Sequence, residues 1–107
     1  MLTLETVTAP VIIPDKGAIE DTDSSPLYNV LIHNDPITTF EYVIRILGDV
    51  FWLSYEMAEH VAMTAHERGT AIVVVRPKPE AKRLAEKASS QARADGYPLT
   101  FSIEASE

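Results

Sequence analysis

From Tyr28 onward the apolar residues switch between two spacings, and the order of those spacings leaves few architectures open. Tyr28 to His33 (YNVLIH) alternates in part and is rich in β-formers, which predicts a strand. Asn34-Asp35-Pro36 breaks it, as these residue types do. Thr38 followed by Glu41 fits a capping box, and the helix it opens is expected to run to about Phe51. Phe40, Val43, Ile44, Leu47 and Phe51 then fall on one apolar stripe. Ser54 is the expected cap of a second helix with Ala58, Val61, Ala62 and Ala65 inward, and Gly69 its left-handed stop. Ala71 to Val75 is a continuous apolar run, expected as a strand covered on both faces or nearly so. Pro77 and Pro79 end it and open a third helix, with Ala81, Leu84, Ala85, Ala88 and Ala92 inward and Gly96 as its stop. Leu99 to Glu104 alternates and is the last strand.

The order is therefore β-α-α-β-α-β. Three strands and three helices in about 80 residues predict a two-layer α/β sandwich, in the α+β sense, with one sheet face covered by helices and the other more open. Residues 1–26 read differently. They hold Pro10, Pro14 and Pro26, the acidic residues Glu20, Asp21 and Asp23, and a Val11-Ile12-Ile13 run too short to build a core. That composition predicts a mobile extension before a core domain spanning 27–107, with a docked arm as the alternative.

Composition narrows the function classes. A net charge of −7 argues against a nucleic-acid partner, since phosphate binding needs a basic face, and favours basic or ammonium-bearing partners. The chain has no cysteine, which removes disulfides, thiolate metal sites and a thiol nucleophile and fits a cytoplasmic setting. No apolar run approaches the roughly 18 residues of a membrane span, and Met1 to Thr8 carries no basic residue, so a signal peptide is not expected. His60 and His66 stand six apart and cannot share a metal on one helical face, and no third ligand accompanies His33 and Asp35. There is no nucleophile elbow, glycine-rich phosphate loop or paired-carboxylate motif. No catalytic residue, metal or cofactor is expected.

Two places remain for chemistry. Asn34 and Asp35 lie in the turn before the first helix, and His66 lies at the flank of the second helix's apolar face, with Met63 further round and His60 turned toward solvent. Tyr28 to Pro36, then Thr38 and Phe40-Glu41-Tyr42-Val43-Ile44, resembles the ClpS stretch of a hydrophobic strand, Asn-Asp-Asp, Thr and an apolar helix start. Ala58, His66, Gly69 and Ala71 resemble that family's second-helix pattern, and Tyr97-Pro98-Leu99 its His-Pro-Leu ending. The likeness runs from residue 28 to residue 104.

The resemblance implies a three-stranded, mainly antiparallel sheet with three helices. It also implies an adaptor that binds proteins beginning with Leu, Phe, Tyr or Trp (N-degron substrates) and hands them to a Clp AAA+ unfoldase. Asn34, Asp35 and His66 are then implied to face the substrate's α-amino group, and Ile32, Thr38, Phe40, Val43, Ala62, Ala65 and Leu99 to surround its side chain. The chemistry of those residues agrees: an α-ammonium is a donor only, and an amide oxygen, a carboxylate and a neutral imidazole nitrogen are acceptors. The sequence departs from the family pattern at Pro36, which removes a carboxylate and an N–H and shifts the burden to Asp35. Thr39 replaces a proline, Phe40 a methionine, and Ala62 stands where methionine is frequent. Pro79 and Leu84 replace charged residues associated with docking, which implies an unfoldase that is ClpA-type or, differing from that usual partner, for instance ClpC-type. The alternative is a divergent interaction domain on the same fold that does not read a peptide terminus.

Overall fold

A computed structural model describes residues 25–106 of the chain. The order of elements is β1 (Leu27–His33), α1 (Phe40–Phe51), α2 (Tyr55–Arg68), β2 (Thr70–Pro77), α3 (Lys78–Ala94) and β3 (Thr100–Ala105). The sheet has the order β2-β1-β3 with both pairs antiparallel, so β1 is its central strand. The expectations for residues 1–24 lie outside the described residues.

Burial explains why β1 is central. Val30 and Ile32, two residues apart on one face, have 0% and 1% exposure and meet Leu47 and Leu99 in the same core. The inner faces of α2 and α3 are mostly alanine, as their spacing predicted: Ala58, Val61, Ala62 and Ala65 on one, Ala81, Leu84, Ala85, Ala88 and Ala92 on the other. Phe51 and Phe101, with ring centroids 5.5 Å apart, add aromatic contact between α1 and β3.

Three sequence expectations shift. The α1 cap is Thr39, whose side chain accepts from the Tyr42 N–H at 3.1 Å, and not Thr38, because the Thr38 hydroxyl is already given to Asp35. The buried face of α1 is Tyr42, Val43, Ile46, Leu47, Val50 and Phe51, leaving Phe40 and Ile44 half-buried. Tyr42 can turn inward because its hydroxyl donates to Asp95 at 2.6 Å and its ring lies 4.3 Å from that of Tyr97. Finally, β2 is an edge strand open on one face: Ala71 and Val73 are buried, whereas Ile72 and Val75 are 51% and 39% exposed. They share that face with Asn29, whose amide donates to Glu104, so it is partly polar and faces outward.

The helix ends follow local chemistry. Ser54 caps α2 by accepting the Met57 N–H, and Gly69 ends it at φ 93°. Pro77 and Pro79 stand at the start of α3, where missing N–H groups cost nothing. At the end of α1 the left-handed position falls to a non-glycine residue, Trp52 (φ 63°, ψ 30°), whose ring is 86% exposed.

Candidate functional site

The site forms where the β1–α1 loop meets the C-terminal end of α2. The Asn34 N–H donates to the Gly69 carbonyl at 2.9 Å, so the helix stop that the glycine provides is also the anchor of the loop. One residue on, the Asp35 carboxylate organises the turn into α1. Its Oδ1 accepts the N–H groups of Ile37 and Thr38, both at 2.8 Å, and its Oδ2 accepts the Thr38 hydroxyl at 2.7 Å. Burial alone would raise the Asp35 pKa. The bonds from the Thr38 hydroxyl and the Thr38 and Ile37 amides outweigh it and hold the carboxyl below its ordinary value.

A cavity of about 630 Å³ opens between this loop and α2. Its apolar wall is Ile32 from β1, Phe40 and Val43 from α1, Ala62 and Ala65 from α2, and Leu99 from the segment before β3. Asn34, Asp35, Thr38 and His66 line it as well. The ten residues singled out from the sequence thus border one cavity. The Asn34 side chain and the His66 ring are exposed and make no hydrogen bond among the described residues, which leaves their acceptor atoms available.

Pro36 and Met63 also line the cavity. Met63 was readable in principle: it precedes His66 by three positions, and residues three apart share a helical face. The other two histidines lie outside. His60 is exposed on α2, and His33 is held by its Nε2 at 2.6 Å from the Ser102 Oγ.

The arrangement suits one chemical task. A wall of aliphatic and aromatic groups takes an apolar side chain. A border of acceptors (an amide oxygen, an imidazole nitrogen and one carboxylate) takes a donor-only cation beside it. The Asp35 carboxylate offers about four lone-pair positions, of which the loop uses three, so roughly one remains on Oδ2. Among the described residues there is no group of three or more His, Asp or Glu placed to hold a metal, and no helix long and apolar enough to cross a membrane.

Comparison with known proteins agrees with this geometry. The family model described as ATP-dependent Clp protease adaptor protein ClpS matches residues 23–102. The chain is 38% identical over 86 residues to the ATP-dependent Clp protease adapter protein ClpS 2 of Mesorhizobium japonicum, covering 80% of this chain and 85% of that one. It is 41% identical over 81 residues to the corresponding ClpS 2 of Rhizobium meliloti, covering 76% and 80%. Agrobacterium tumefaciens ClpS2, solved bound to L-phenylalaninamide, superposes with a TM-score of 0.75 at 36% identity over 77% of this chain and 99% of that one. Relatives named in this way are adaptors to a protease, not proteases. On these matches the chain belongs to the ClpS family of Clp protease adaptor proteins.

Proposed function

We propose that the protein captures the free N-terminus of proteins beginning with Leu, Phe, Tyr or Trp and presents them to a Clp AAA+ unfoldase in the cytoplasm, with no catalysis of its own. The observation that carries this is the single cavity that joins an apolar wall to Asn34, Asp35 and His66. Asn34 Oδ1, the remaining lone pair of Asp35 and an imidazole nitrogen of His66 accept the three ammonium protons. Ile32, Phe40, Val43, Ala62, Ala65 and Leu99 bury the first side chain, with Thr38 holding the loop. Charge-assisted hydrogen bonds contribute about 1.5–3 kcal/mol each, and burial of a Leu or Phe side chain contributes about 1.5–3 kcal/mol. Against these stands an association cost of about 4 kcal/mol or more, so the affinity is expected to reach at best about −8 kcal/mol, a micromolar Kd. Leu84 is buried and offers no charge for docking, and the unfoldase is of the ClpA or the ClpC type. The test is peptide affinity: Asn34→Ala and His66→Ala should each weaken a Phe-start peptide by about tenfold, close to 1.4 kcal/mol. Unchanged affinity in both would remove the assignment.

A second reading has one specific observation behind it. Asp35 is largely committed to its own loop and Pro36 supplies no carboxylate, so the site holds little free negative charge. In that reading the fold serves as an interaction domain indifferent to peptide termini, and binding persists when the peptide amine is acetylated.

A further inference from the structure

A second cavity, of about 500 Å³, lies between α3 and β3, away from the peptide pocket. In a chain of net charge −7 its lining is basic: Lys78, Lys82 and Arg93 against Glu86. Lys82 and Arg93 make no ion pair among the described residues, and Lys78 rests its ammonium 5.3 Å from the Tyr28 ring. The wall opposite is the outer edge of the sheet, because β3 is an edge strand. The Ser106 N–H bonds the Leu27 carbonyl, so every second residue back from Ser106 faces β1, and Phe101 and Ile103 point their backbone groups outward. At Phe101 that edge is closed by Ser89, whose Oγ accepts the Phe101 N–H at 2.9 Å and donates to its carbonyl at 3.4 Å. At Ile103 it is open to the groove.

We propose that this groove between α3 and β3 binds the acidic stretch Glu20, Asp21 and Asp23 of the same chain. The position of the chain's entry into the core points to it. Pro26 adjoins the lining residue Lys78, its carbonyl accepting the Lys78 N–H at 3.1 Å. Asp23 precedes Pro26 by three residues and Glu20 by six, which extended backbone spans in about 10 and 20 Å. Along α3, Lys82 lies about 6 Å and Arg93 about 22 Å beyond Lys78. The three carboxylates can therefore reach the three cations without strain, and a backbone lying in the groove meets the open Ile103 amide. The inference does not rest on peptide capture, and its test needs no peptide.

The test is amide hydrogen exchange at Ile103 by NMR on the full chain. The wild type should exchange on the order of tenfold more slowly than a Glu20→Gln, Asp21→Asn, Asp23→Asn variant. High salt should remove that difference. Lys82→Glu should also speed exchange, and combining it with Asp21→Lys should restore the wild-type rate. Equal exchange in wild type and neutralised variant would overturn the proposal. So would protection that grows with protein concentration, which would give the groove to a second copy.

Discussion

Replacing Asp35 by alanine removes three hydrogen bonds at once: those from the Ile37 and Thr38 amides and from the Thr38 hydroxyl. Each contributes about 0.5–1.5 kcal/mol net. The freed donors sit in a half-buried loop where water can reach them, so the sum belongs at the lower end, about 2 kcal/mol. For a domain of this size that lowers Tm by roughly 8–16 °C. Asparagine behaves differently. Its Oδ1 still accepts both amides and its Nδ2 donates to the Thr38 oxygen, so Asp35→Asn should cost about 0.5–1 kcal/mol, the loss of charge assistance. The carboxyl pKa is depressed in the folded state, so the charged form is the stabilising one. Its contribution is complete above the ordinary aspartate value of about 3.9 and is lost as pH falls through the lower folded-state value. Urea unfolding of the three proteins at neutral pH and in acid measures all of this. Two results would each refute the reasoning: alanine within about 0.5 kcal/mol of wild type, the usual range of neutral surface changes, or asparagine as damaging as alanine.

Two further outcomes follow from the helix ends and the aromatic cluster. Trp52 occupies a left-handed position that costs a side-chain-bearing residue about 1–2 kcal/mol, and its ring is exposed. Trp52→Gly should therefore raise stability by about 0.5–1 kcal/mol in denaturant melts, and a loss would show that the ring packs. The Tyr42 hydroxyl is pushed up to about 12 by burial and by its bond to Asp95. A raised pKa means its contribution is complete below the ordinary value of about 10 and lost as pH rises through about 12. Ultraviolet titration should show one tyrosine ionising last, and Asp95→Asn should bring it down.

Where a single residue type dictates a local geometry, the sequence was readable. Ser54 and Gly69 bracket α2 as expected, and the alanine-lined faces of α2 and α3 are those their spacing predicts. What escaped had a competing partner. Thr38 and Thr39 are the same residue type, and only the Asp35 carboxylate decides which of them caps α1. Tyr42 looks amphipathic until Asp95 and Tyr97, more than fifty positions away, give its hydroxyl and ring a place. A run such as Ala71 to Val75 is apolar throughout whether its strand is central or at an edge, so the exposure of Ile72 and Val75 needs the sheet order to be seen. No glycine marks the end of α1, so nothing announces that Trp52 turns left-handed. For the cavity, local pattern named Asn34, Asp35 and His66 as polar candidates, and resemblance supplied the apolar wall. Met63 was within reach of its helical spacing to His66, whereas Pro36 needed the three-dimensional neighbourhood.

The most direct measurement is fluorescence anisotropy of labelled peptides beginning with Leu, Phe, Tyr or Trp, each compared with its N-acetylated form and with an Ala-start control. Micromolar binding that requires both the free amine and the bulky first residue is the predicted result, and it would mean that Asn34, Asp35 and His66 suffice without a second aspartate. Equal binding of acetylated and free peptides, or no binding at all, would contradict capture of the N-terminus.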